Sequence, residues 1–117
     1  MTKCKLIFAF RNAYDGLKYC FNFERNFKIH TVAAILAAGL AWRFNFDKME
    51  TIILIFTIAI VFMAELFNTA IEIVVNMIHP EIHPLAKIAK DIAAGAVLVA
   101  ALAAFLVGCI LFYTRLL

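Results

Sequence analysis

The chain has 117 residues, which suits one compact unit, so residues 1–117 are read as a single domain. Hydrophobic residues make up 66 % and charged residues 16 %, against roughly 45–50 % and 25 % in soluble domains, which excludes disorder and a water-solvated scaffold. The net charge of +3 is spread along the chain and forms no basic patch, so nucleic acid is not an expected partner. Three cysteines, Cys4, Cys20 and Cys109, cannot pair completely and are read as free thiols packed as small apolar groups.

In chain order, Leu6, Ile7, Phe10, Ala13, Tyr14, Leu17 and Phe21 fall at helical spacing among Lys5, Arg11, Asp15 and Lys18. This predicts an amphipathic helix lying on the membrane surface over about residues 5–25. Charges from Arg11 to Lys28 interrupt every early apolar run, so no cleavable signal peptide is expected. A first span is predicted over about residues 27–46, with Lys28 and Arg43 snorkelling from its ends. A second, over about 51–78, is apolar except for Glu65, Glu72 and a few amides and hydroxyls. The third covers about 92–114; Ile92 to Thr114 carries no charge and as a helix would reach about 35 Å, against about 30 Å of hydrocarbon.

The expected fold is therefore an all-α membrane protein, an interfacial helix plus three transmembrane helices. Lys3, Lys5, Arg11, Lys18, Arg25, Lys28, Lys87 and Lys90 lie on one side of that arrangement, and Arg43, Lys48 and Arg115 on the other. The positive-inside rule then places the N-terminus and the second loop in the cytoplasm. Ala96, Ala100, Ala104 and Gly108 in the third span, and Ala33, Ala37 and Ala41 in the first, form smooth ridges for close helix approach.

The chemistry concentrates on the second span. At about 100° per residue, Glu65, Asn68, Thr69, Glu72 and Asn76 share one face within about 100°. An ionisable group at the membrane centre costs about 2.5–3.5 kcal/mol even on the lenient insertion scale, so two carboxylates on one span require a partner. That partner is a cation, a cationic side chain, a shared proton or water in a polar cleft. Across the second loop stand Glu81, His83, Lys87, Lys90 and Asp91, while Glu24, before the first span, lies at the depth of Glu72. Glu24 and Glu72 have the hard oxygen donors that suit Mg²⁺, and such a site resembles those that receive nucleotide phosphates.

Other readings of the same residues are an oligomer contact in a noncatalytic assembly subunit, or a small proton-coupled transporter using Glu65 and Glu72 as a relay. His79 and His83 sit among Pro80 and Pro84, a poor zinc pattern. Gly16, Gly39, Gly95 and Gly108 are isolated, so no glycine-rich phosphate loop is present.

Two blocks in order carry a family resemblance. Glu65-Leu-Phe-Asn68-Thr69-Ala-Ile-Glu72, followed by His83-Pro-Leu-Ala-Lys-Ile-Ala-Lys90-Asp91-Ile-Ala-Ala-Gly95, resembles the small prokaryotic diacylglycerol kinase family, which includes the undecaprenol kinases. Gly16 and the Glu24–His30 block look like the same family's approach to its first span, and the resemblance covers about residues 10–112. It implies a homotrimer in the bacterial cytoplasmic (inner) membrane that transfers the γ-phosphoryl of MgATP to a membrane lipid alcohol, with sites shared between subunits. By motif position Glu65 is the general base on the lipid hydroxyl, Asn68 positions the reacting groups, and Glu24 and Glu72 hold Mg²⁺. Glu24, Glu72, Glu81, His83, Lys90 and Asp91 are the nucleotide residues by the same token, with Asn12, Lys5 and Arg11 as candidates from the N-terminal helix. The family often has Asp where this chain has Asn76, so no charge-dependent role carries over to that position. The Glu24–His30 and His83–Leu98 blocks look closer to the undecaprenol branch, with diacylglycerol as the alternative acceptor.

Overall fold

The computed structural model describes residues 3–116, and the side chains from Lys5 onward. It is four helices in sequence: α1 (Lys3–Phe23), α2 (Arg25–Arg43), α3 (Lys48–Ile78) and α4 (Pro84–Leu116). The expected all-helical class holds, and the helix ends differ from expectation for local reasons.

Helix α1 stops at Phe23 because Glu24 takes an extended conformation (φ −110°, ψ 113°) at the N-cap position of α2. Its N–H still donates to Cys20 O across 2.9 Å, so the break is a one-residue corner. At the other end, α2 stops at Arg43, short of the expected 46, because Asn45 adopts a left-handed backbone (φ 55°). Asn45 N–H then donates to Trp42 O (3.2 Å) and Phe46 N–H to Ala41 O (3.0 Å), the paired bonds of a Schellman ending. Phe46 packs beside Ala41, completing that motif's apolar contact.

Asp47 begins α3 at once: its side chain accepts from Glu50 N–H (2.8 Å) and Glu50 Oε1 accepts from Asp47 N–H (3.1 Å). This reciprocal capping box starts α3 before the expected residue 51. Pro84 similarly opens α4 well before residue 92, since a missing N–H is harmless in a first turn. The second loop is thus shorter than expected, and Lys87, Lys90 and Asp91 are helical.

Helices α3 (31 residues) and α4 (33 residues) are the two described helices long and apolar enough to cross a membrane. They reach about 46 and 50 Å, more than a bilayer core. Helix α2 has 19 residues, about 28 Å. The main packed pair is α3 with α4. Contacts between Leu54 and Leu111 and between Glu50 and Arg115 join the start of α3 to the end of α4, so these helices run antiparallel.

Of the expected small-residue ridge on α4, Ala100 is buried and Ala104 and Gly108 are half-buried, while Ala96 is exposed and Ala93 is buried in addition. On α2, Ala41 is buried, Ala37 partly so, and Ala33 is exposed. Large apolar side chains such as Trp42, Phe56, Ile92, Phe105 and Ile110 face outward, as they do when lipid is the solvent. Cys20 and Cys109 are free thiols, Cys20 buried; the Cys4 side chain lies outside the described residues.

Candidate functional site

The interior of this small bundle is polar at one level. Glu65 (2 % exposed) and Thr69 (3 %) are the buried polar residues among those described, and both stand on the face of α3 where the sequence placed its acidic stripe. That face turns into the protein over Glu65 and Thr69 and opens toward the end of α3: Asn68 and Glu72 are half-buried, and Asn76 is exposed.

Three elements meet around it. From α1, the Cys20 thiol (4 % exposed) sits beside Thr69; burial pushes the thiol above its ordinary 9.0, the Thr69 hydroxyl opposes this, and the charges of Glu24 and Glu65 add to the rise. The thiol therefore stays protonated and packs as a small group. From the corner between α1 and α2, Glu24 has its carboxyl held above the ordinary 4.5, first by burial and then by the negative charges of Glu72 and Glu65. From α2, His30 places Nε2 3.1 Å from Glu65 Oε1. The approach is not aligned as an N–H···O bond, and Oε1 has no hydrogen-bond partner.

On α3 itself, Asn68 Nδ2 donates to Glu72 Oε1 across 3.2 Å, while Asn68 Oδ1 is buried without a partner. The site thus gathers three carboxylates, two orphaned oxygens and a histidine. A cavity of about 250 Å³ opens beside it between α2, α3 and α4, with His30 at its polar end and an apolar lining that includes Ala33, Val61, Ala104 and Phe105.

A sequence profile described as "Prokaryotic diacylglycerol kinase" matches residues 11–112, nearly the whole of this architecture. The chain belongs to the prokaryotic diacylglycerol kinase family. It is 43 % identical to a diacylglycerol kinase from Synechocystis over 88 % of its own length and 59 % of the relative's, so it spans under two thirds of that protein. It is also 38 % identical to an undecaprenol kinase of Bacillus subtilis, over 92 % of this chain and 88 % of the relative. A diacylglycerol kinase of Escherichia coli is 34 % identical, over 95 % and 91 %. These relatives are lipid kinases, with two different acceptors in their names.

The remaining expected site residues are distributed as follows in this family member. Asp91 Oδ2 pairs with Lys87 Nζ at 2.6 Å, one turn away, and not with its neighbour Lys90; residues at i and i+4 share a helix face and those at i and i+1 do not. Lys90 is half-buried and makes no ion pair among the described residues. Glu81 is exposed in the loop. His83 accepts from Leu85 N–H at Nδ1 (3.2 Å), bracing the start of α4, and its ring stacks on His79 with centroids 4.5 Å apart. Lys5, Arg11 and Asn12 lie exposed on α1.

No group of three or more His, Cys, Asp or Glu side chains placed to hold a metal occurs among the described residues. Mg²⁺ does not require one, since it commonly takes one or two carboxylates and completes its shell with water and substrate phosphate. The raised carboxyl of Glu24, the nearby charge of Glu72 and the unpartnered Asn68 Oδ1 are the hard, under-neutralised oxygens such an ion fits.

Proposed function

We propose that this family member phosphorylates a membrane lipid alcohol from MgATP, with undecaprenol as the favoured acceptor and diacylglycerol as the alternative. The observation that carries the reading is the burial of Glu65 beside Glu24 and Glu72, inside the protein and away from lipid. Its partners in the reaction are ATP, the bilayer and the lipid acceptor, and its setting is the bacterial cytoplasmic (inner) membrane with the N-terminus in the cytoplasm. Helix α2 crosses as a third span in this reading, with Lys28 and Arg43 at its two ends. Homotrimeric assembly would cover the outward apolar faces that one chain leaves open and complete sites shared between subunits.

A lipid hydroxyl is a poor nucleophile and needs a base within hydrogen-bond reach. Glu65 is that base: it accepts the hydroxyl proton as the new oxygen–phosphorus bond forms and the bond to the leaving ADP oxygen breaks. Asn68 holds Glu72 in place through its 3.2 Å bond and offers its free Oδ1 to the reacting groups. Glu24 and Glu72 would hold Mg²⁺, which would offset negative charge on the phosphates. Lys90 supplies positive charge from the first turns of α4. Asp91, Glu81, His83 and, from α1, Asn12 contribute nucleotide contacts. The cavity beside His30 suits the acceptor's hydrocarbon chain, with the hydroxyl turned toward Glu65.

The test is direct: purified, assembled protein with labelled ATP, Mg²⁺ and either undecaprenol or diacylglycerol. Lipid phosphate formed faster from undecaprenol supports the reading in full. No lipid product from either acceptor overturns it.

A further inference from the structure

Among the described residues, His30 alone comes within ion-pairing distance of the Glu65 carboxylate, and it arrives from a different helix. Its Nε2 is 3.1 Å from an Oε1 that makes no hydrogen bond, on a side chain only 2 % exposed. Leaving a buried acceptor unsatisfied destabilises the protein, more so when the group is charged, so the His30–Glu65 contact has a reason to tighten. At 3.1 Å the two atoms are already within hydrogen-bond distance, and catalytic hydrogen bonds commonly tighten once substrate is bound.

The surroundings hold His30 to that place. Phe27, one turn earlier on α2, packs on Phe62, one turn earlier on α3, with ring centroids 5.1 Å apart. The neighbouring Thr31 hydroxyl is spent on Phe27 O (2.8 Å) and does not compete for the carboxylate. The other titratable groups near Glu65 cannot take the role. The Cys20 thiol of α1 is kept neutral by burial, and Glu24 carries like charge. Glu72, on α3 itself, is engaged by Asn68, and α4 turns Ala93 and Ala100 to the interior. The His30 side chain is 22 % exposed and lines the 250 Å³ cavity, so it touches both the buried carboxylate and the space open beside it.

Resting on the lipid-kinase reading, we propose that His30 is a positioning residue for Glu65. Its Nε2–H donates to Oε1 and fixes the carboxylate so that Oε2 faces the acceptor hydroxyl.

The experiment uses the full chain assembled in detergent. His30→Ala lowers kcat roughly 10- to 100-fold, the usual loss when a neighbour that orients a working group is removed, while KM for MgATP stays within about twofold. His30→Gln, whose amide can donate without titrating, recovers most of the rate and alters the pH profile of kcat. In ¹⁵N-histidine spectra, Glu65→Gln moves the ring nitrogens of His30 and leaves those of His79 and His83 in place. Unchanged kcat in His30→Ala, no recovery in His30→Gln, or ring nitrogens of His30 that ignore Glu65→Gln each overturn the proposal and leave the kinase reading standing. Absence of lipid phosphorylation by the unaltered chain overturns the kinase reading instead, and the spectra still report whether the pair exists. Should His30→Ala fail to assemble, His30→Gln and the spectra decide.

Discussion

Asn68 donates to Glu72 across 3.2 Å, one helical turn along α3, and so aims the carboxylate whose charge reaches Glu24. A hydrogen bond to a charged group contributes about 1.5–3 kcal/mol. If that bond sets the geometry of the proposed metal-binding pair, Asn68→Ala lowers kcat roughly ten- to hundredfold and raises the Mg²⁺ concentration needed for half-maximal rate. Steady-state rates across a Mg²⁺ series check this.

Glu24 gives a prediction of opposite sign for stability and for activity. Its carboxyl is held above 4.5 by burial and by Glu72 and Glu65, so the folded protein favours the protonated form. An acid raised on folding stabilises the native state below its unfolded value and loses that contribution as pH rises through the folded value. Without Mg²⁺, the difference in unfolding temperature between Glu24→Gln and the unaltered protein should grow in favour of the variant as pH is raised from 4.5 toward neutrality. Glu24→Gln is then the more stable at pH 7.5 in the absence of metal, yet inactive. Added Mg²⁺ should raise the unfolding temperature of the parent and leave the variant unmoved.

Lys87 and Lys90 separate a surface pair from the proposed site cation. Lys87 is exposed and paired to Asp91, whereas Lys90 is half-buried and unpaired among the described residues. Lys90→Met should raise KM for MgATP about tenfold, as loss of about 1.4 kcal/mol of binding would. Lys87→Met should change it less than twofold, since exposed pairs contribute little. Kinetics at two ionic strengths check both.

At the opposite end of the bundle, Arg115 Nε donates to both Glu50 oxygens at 3.0 Å, Nη2 joins them, and Asp47 lies 3.8 Å away. This fork fastens the last turn of α4 to the capping box that starts α3. Arg115→Ala should lower the unfolding temperature without altering kcat, and the difference should shrink in high salt because Arg115 and Asp47 are exposed. Thermal unfolding in low and high salt measures it.

The four helices and the acidic stripe are legible in the chain because apolar periodicity and membrane exclusion of charge act within one segment. Glu65 and Thr69 had to face protein, and they do. Helix ends were less legible: the left-handed Asn45, the Asp47–Glu50 box and the helical run from Pro84 to Asp91 depend on cap chemistry that an apolar-run count ignores. Most contacts between helices were hidden. His30 against Glu65, Cys20 against Thr69 and Arg115 against Glu50 depend on helix register, which packing sets. One signal for the first was present: His30 is the titratable group in the apolar stretch from Ile29 to Trp42, and a buried carboxylate needs such a partner.

In the proposed reaction the buried acidic face performs phosphoryl transfer with Glu65 as its base. Initial rates of labelled lipid phosphate formation by Glu65→Gln, beside the unaltered chain and with the same assembly size and helicity, test it most directly. The expected result is a loss of a hundredfold or more, within the roughly 10²- to 10⁴-fold range of general-base contributions, with MgATP still bound. A variant that phosphorylates lipid at the parent's rate would contradict it.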